Sequence, residues 1–183
     1  MIMTKFLTGC IGAALITYCG VGAEQALAQT SSPLPAASPN YWLTGWQEPG
    51  THWRLAVAPY APHFRYSPEH RDPWALAVER QRPDGWLAGA SYFSNSFGQP
   101  SGYLYVGKRW VGWFGREDLY TQLSGGLLYG YRGKYQSKVP FNHNGYSPGA
   151  LASAGWQITR QLSLTAHAYG DAGVMFQLGW DLL

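Results

Sequence analysis

The chain has 183 residues and a net charge of +3, with 16% aromatic and only 13% charged residues. So small a positive excess, without a basic run, argues against a nucleic-acid binder. Past the N-terminus, no stretch offers the roughly 18 consecutive apolar residues of a membrane-crossing helix, and 23 glycines beside 9 tryptophans point to β-structure instead.

In chain order, Lys5, the apolar run FLTGCIGAALITYCGVGA and the small residues Ala26–Ala28 read as a secretory signal peptide over 1–28. Both cysteines, Cys10 and Cys19, fall inside it, so no disulfide is expected in the exported chain. The Pro/Ser-rich QTSSPLPAASPN, 29–40, is expected to be a disordered leader. YWLTGWQEP then crowds Tyr41, Trp42, Leu43 and Trp46 before Pro49. It predicts a short periplasmic amphipathic helix over 41–50, its tryptophans at a membrane interface.

From 51 to 183 the pattern has period two. Val174, Phe176, Leu178, Trp180 and Leu182 alternate with smaller or polar residues, which places one apolar and one polar face on a strand. Similar runs occur at roughly 53–66, 73–82, 86–94, 102–113, 118–132, 148–158, 162–169 and 174–182. A soluble sandwich would turn the apolar face inward, whereas a membrane barrel turns it toward lipid. An even number of segments about ten residues long, with tight turns at 82–85 and 159–161 and longer connections at 66–73 and 133–148, predicts an eight-stranded antiparallel transmembrane β-barrel. Its termini and tight turns would be periplasmic. Eight strands leave room for packed side chains or one ligand, not a wide pore. By parity Glu79 and Asp181 face inward with Arg54, and His167 points into the barrel.

Topology brings the ends of strands 1, 3 and 5 to the external rim. His63, Asn95 with Ser96, and Arg132 belong to those ends. A histidine can take a serine's proton and activate it for acyl transfer, and an amide beside that serine can orient it or steady an oxyanion. Pro59 and Pro62 fall within strand 1, and Pro73 starts strand 2. A proline gives no ladder hydrogen bond, so in a closed wall it either unzips the sheet locally or marks a strand end.

WQEPGTHWRLAVAPYAPHFRY (46–66), RPDGW (82–86), FSNSFGQP (93–100), YRGKYQSKVP (131–140) and the last two strands form an ordered series across the chain. Together they resemble the lipid A palmitoyltransferases of the PagP type. The resemblance implies an outer-membrane enzyme that moves a palmitoyl chain from a phospholipid donor to lipid A, without cofactor or metal and as a monomer. It implies catalysis by His63 and Ser96, with Asn95 standing where the family carries Asp. It further implies that Arg132 holds the anionic lipid, that Gly102 or Gly107 floors the acyl-chain chamber, that Pro59 and Pro73 form lateral gates, and that Trp46 clamps against Arg82 and Asp84. Asn95 cannot accept a proton, although it can still hydrogen-bond. Glu69 and Asp72 in the first external loop are the carboxylates available to replace the missing one.

Two other readings remain. YFSN (92–95) is similar to a His-x-Ser-Asn stretch of lipid A deacylases, with Tyr92 in place of the histidine. A non-catalytic structural barrel is the third. A transferase needs an apolar chamber beneath the external rim, with His63 and Ser96 at its mouth, whereas a structural barrel should be polar and salt-bridged throughout. The histidines lack metal-ligand spacing, and GGLLYG (125–130) lacks the helix and Lys-Ser/Thr of a phosphate loop.

Overall fold

The computed structural model describes residues 44–64, 67–169 and 173–183. The expected signal peptide and leader, with the first residues of the expected helix (41–43), lie outside them. Thr44 is followed by a single 3-10 turn, Gly45–Gln47. The remainder of the expected helix, to Gly50, is turn and bend, because Pro49 cannot donate to a helix and Gly50 adopts φ 86°.

Eight antiparallel strands close on themselves in sequence order. They are β1 (His52–Ala58), β2 (Trp74–Gln81), β3 (Trp86–Ser94), β4 (Pro100–Trp113), β5 (Arg116–Tyr129), β6 (Tyr146–Gln157), β7 (Leu162–Ala168) and β8 (Val174–Leu182). Closure comes from β1 pairing with β8, Trp53 opposite Leu182 and Arg54 opposite Asp181. A closed sheet has no unpaired edge, which is what a wall in hydrocarbon requires.

The two faces sort as the period-two reading expects. Leu55, Val57, Leu76, Val78, Leu104, Val106, Leu123, Leu127, Phe176 and Leu178 form an exposed outward band. Trp53, Trp110, Trp156 and Trp180 stand on that wall toward the end holding the chain's N- and C-terminal strand ends, here called the base. Trp74, Tyr92 and Tyr146 stand at the opposite rim. An apolar belt between two aromatic girdles is the surface of a barrel solvated by lipid.

Inside, the base half is polar. Arg54 Nε lies 3.2 Å from Asp181 Oδ1, and its guanidinium also donates to Ser163 Oγ. Glu79 accepts from Tyr105 Oη at 2.8 Å and from Gln81 Nε2 at 2.6 Å. Arg109 donates to Gln122 at 3.0 Å and lies 4.1 Å from the Tyr120 ring centroid. His167 is satisfied by Ser153 at 2.7 Å and Gln177 at 3.0 Å. Tyrosine rings lie inside the wall over glycines that are their register partners on the neighbouring strand. A Cβ on Gly89 would meet Tyr105 at 2.6 Å, and one on Gly155 would meet Tyr120 at 2.2 Å. Those glycines make room for the rings that fill the barrel.

Several strand limits differ from the sequence expectation, and those of β1, β5, β6 and β7 bear on the rim. β1 stops at Ala58 rather than 66, so Pro59 and Pro62 follow the strand instead of lying within it. β5 stops at Tyr129, leaving Arg132 in the loop. β6 begins at Tyr146, which puts Pro148 inside a strand. β7 reaches only Ala168, opposite Ala152. Among the described residues, therefore, the upper β6 has no β7 partner, and a proline there breaks no ladder on that side.

Candidate functional site at the external rim

Three loops meet above the rim. They connect β1 to β2 (59–73), β3 to β4 (95–99) and β5 to β6 (130–145). The middle one is the seat. Asn95 is 1% exposed, and its Oδ1 accepts from the backbone N–H of Phe97 and of Gln99, both at 3.0 Å. Its backbone closes the turn, with Asn95 N donating to Gln99 O at 3.0 Å and Gly98 N to Asn95 O at 2.9 Å. Gly98 takes φ 74°, which a side chain rarely adopts. Asn95 is thus an Asx-turn residue that shapes the loop. Its carboxamide oxygen is spent on the two amides that hold Ser96 in place, so Asn95 orients the serine through the turn.

Ser96 is the convergence point. His63 Nε2 lies 2.6 Å from Ser96 Oγ. The histidine is fixed by a short return of pairing, since His63 bridges to Gly173 and Val174 N donates to Pro62 O at 3.3 Å. Arg71 N donates to the Ser96 carbonyl at 2.8 Å, which pins the first loop onto the second. With the ring proton on Nδ1, the Ser96 hydroxyl donates to Nε2, the geometry of an activated nucleophile. Burial lowers the His63 pKa from its ordinary 6.5, the neighbouring His70 lowers it further, and Asp72 opposes the shift. The imidazole is therefore neutral, and able to accept a proton, at neutral pH.

Two residues of the site were not selected from the sequence. Tyr131 neighbours Ser96: burial raises its phenol pKa and the Ser96 hydroxyl opposes that shift. The His70 ring lies 4.3 Å from that of His63 and 5.6 Å edge-on to Phe97. Phe97 stacks on Tyr135 at 4.0 Å and meets Tyr131 at 6.1 Å. The signal for Tyr131 was its position immediately before Arg132 in a stretch already singled out. His70 carried none, because nothing local says that its loop folds back onto His63.

The other expected residues divide. Arg132 is tied to the seat through its backbone, N–H to Gln99 Oε1 at 2.9 Å and carbonyl from Gln99 Nε2 at 3.1 Å. Its guanidinium is exposed and reaches Tyr129 Oη at 3.3 Å. Glu69 is bound to Lys134 at 2.9 Å, so Asp72 is the carboxylate that acts on His63. Tyr92 is 54% exposed on the outer wall against Trp74 and cannot serve as a base for Ser96. Gly102 has outward parity, between the inward Ser101 and Tyr103, and cannot floor an inner chamber. Gly107 faces inward, but it pairs with Leu87 near the base, below Tyr105, where a Cβ would strike Leu123 O at 2.6 Å. Stacked Tyr103 and Tyr105, 4.8 Å apart, close the upper interior instead.

Above those rings the inward positions at the strand ends are Ala58, Ala75, Phe93, Ser101, Leu128 and Ser147, none of them charged. The interior is thus split, with a polar base beneath a small-residue and apolar upper half. The wall around that half is incompletely laddered. β1–β8 pairing ends at Val57 opposite Leu178 and returns only at His63. β1–β2 pairing ends at Ala58 opposite Ala75, leaving exposed Pro59 and buried Pro73 outside the sheet. At the base, the Arg82 guanidinium carbon lies 5.4 Å from the Trp46 ring centroid and Arg82 pairs with Asp84 at 2.9 Å. Arg80 donates to the Trp46 carbonyl at 3.3 Å.

No family model matches the chain, and no curated protein matches it. Among solved structures it is similar to the N-terminal β-barrel domain of Pseudomonas aeruginosa OprF. That likeness has 15% identity and a TM-score of 0.36, and covers 72% of this chain and 95% of that one.

Proposed function

We propose that the protein is an outer-membrane acyltransferase that moves a fatty-acyl chain from a phospholipid to a hydroxyl of lipid A at the external rim. The observation that carries the reading is the 2.6 Å contact between His63 Nε2 and Ser96 Oγ above an uncharged upper interior. In the first half-reaction His63 takes the Ser96 proton as Oγ attacks the donor's ester carbonyl. The carbon–oxygen bond to the lysophospholipid then breaks, and His63 returns the proton to that leaving oxygen. In the second, His63 takes the proton of the acceptor hydroxyl as that oxygen attacks the acyl-serine carbonyl; the carbon–oxygen bond to Ser96 breaks, and His63 returns the proton to Ser96 Oγ. In this reading the Tyr131 phenol, which neighbours Ser96 and is kept protonated by burial, is the side-chain donor to the oxyanion. The gap in the wall at Pro59–Pro62 gives the donor lipid a lateral path to the serine. Arg132, Lys134 and Lys138 supply exposed cations for phosphates at the rim.

The same pair also supports ester hydrolysis, because its place at an open rim admits water as the acceptor. Lipid mass spectrometry separates the two. The chain is expressed in an outer-membrane host lacking palmitoyltransferase, beside Ser96→Ala and His63→Ala. A lipid A species heavier by one acyl chain, lost in both variants, is the expected result. A species lighter by one chain would establish hydrolysis. No difference from the empty host, with folded barrel in the membrane, refutes both and leaves a structural barrel.

A further inference from the structure

The outer wall is uneven. Large Leu, Val, Phe and Trp side chains stand out from β1, β2, β4 and β8, whereas small residues such as Ala88, Ala90, Ala150, Ala152 and Ala166 hold outward positions on β3, β6 and β7. On β5 and β6 the register pairs Gly125 with Ala150, beside Leu123 with Ala152. Missing side chains there leave a groove of about 520 Å³ lined by Trp86, Lys108, Trp110, Leu123, Gly125 and Ala150. A Cβ on Gly125 would meet nothing nearer than Gly149 O at 3.9 Å, so the space over it is open. One end of the groove is cationic. Lys108 pairs in register with Trp86 near the base turn. Its ammonium lies 5.2 Å from the Trp86 ring centroid and gives one of its three N–H donors to the Asp84 carbonyl at 2.5 Å.

We propose that this groove is a seat for one phospholipid of the inner leaflet, with its acyl chain over Gly125 and its anionic headgroup at Lys108. The direction fits how a lipid stands in a bilayer. Trp86 and Trp110 belong to the base girdle, at interface depth, while Gly125 and Ala150 lie farther toward the hydrocarbon centre. A cation at the interface and an apolar trough running inward from it match a headgroup and a chain. The proposal rests on the barrel spanning a membrane with its base in the inner leaflet, and does not depend on acyl transfer. A lipid held on the wall opposite the β1–β8 gap is distinct from a donor at the rim.

The test reconstitutes the full barrel in vesicles of equal phosphatidylglycerol and phosphatidylethanolamine, and native mass spectrometry then counts the lipids retained. The wild type is expected to keep one phosphatidylglycerol with roughly fivefold preference, the size expected of one cation at a membrane surface. Gly125→Leu fills the groove from the lipid side and is expected to lose the retained lipid while still showing the heat-dependent gel mobility of a folded barrel. Lys108→Gln is expected to keep a lipid without preference for either headgroup. Equal retention of both lipids by the wild type, or undiminished retention by Gly125→Leu, overturns the seat alone. Failure of the chain to insert into vesicles overturns the membrane reading and the seat with it.

Discussion

Substituting Asp181 by Ala removes the acceptor on which the buried cations of the base depend. Asp181 Oδ1 lies 3.2 Å from Arg54 Nε, with side chains 6% and 2% exposed. It also lies 3.6 Å from His52 Nε2, and Asp181 Oδ2 accepts from Gln157 Nε2 at 3.1 Å. At an effective dielectric of about 20, unit charges about 3.2 Å apart attract by roughly 5 kcal/mol. Removing the carboxylate regains its own desolvation cost, and Glu79, the register partner of Arg54 on β2, still faces the guanidinium's strand. What remains is a buried Arg54 with its strongest partner gone, a loss of about 3–5 kcal/mol. The assay is urea unfolding of barrel folded in phospholipid vesicles, followed by gel mobility and tryptophan emission. Replacing both partners, Arg54→Met with Asp181→Leu, should cost less than Asp181→Ala alone, because no orphaned charge is left. A loss below about 1 kcal/mol for Asp181→Ala, or a double variant worse than the single, refutes the claim that this pair organises the base.

At the rim, His63→Ala is expected to slow acyl transfer by about 10²–10⁴-fold, the usual worth of a general base. Ser96→Ala should reach background; an acyl-enzyme trapped on wild type but not on Ser96→Ala would locate the covalent bond. Loss of one oxyanion donor in Tyr131→Phe should cost about 10²-fold or more in kcat with little change in KM. Because burial, then His70, hold the His63 pKa below 6.5, its base form persists below that pH, and activity should fall only as pH drops through the lowered value. Replacing His70 by Asn removes the like-charge neighbour and should move that acid limb upward; a limb unchanged in position sinks the coupling. The stability sign agrees. The unfolded histidine binds a proton first, so the rim loses stability as pH falls below about 6.5, and the loss is complete below the folded pKa. Asn95→Ala should destabilise the loop by about 1–3 kcal/mol, since two buried amides lose their acceptor. Asn95→Asp keeps both bonds and should retain activity, whereas equal damage from the two substitutions would show that the turn is not what Asn95 provides.

Period-two alternation over an even number of segments, with short and long connections in turn, determined the barrel. Strand parity is a local property, so Leu178 and Trp180 could be assigned outward and Asp181 inward without knowing any neighbour. The tight base turn was equally local, because Pro-Asp-Gly carries its own geometry. His63 and Ser96 were legible together for a topological reason. In an up-and-down barrel every odd strand ends at the same rim, so depth in the membrane can be counted from the sequence. Depth brings residues to one level but does not say which way a loop folds. Only the closed structure decided that Arg71 pins the first loop to the Ser96 carbonyl, that His70 lies against His63, and that Tyr131 comes beside the serine. It also decided that Asn95 is spent on its own turn, because that depends on two backbone amides becoming buried and needing an acceptor. The strand lengths were the other tertiary matter. Whether Pro59 lies in the wall or past its end, and whether Pro148 lies inside it, depends on where the neighbouring strand stops. β7 stops at Ala168, a limit that no residue of β6 encodes.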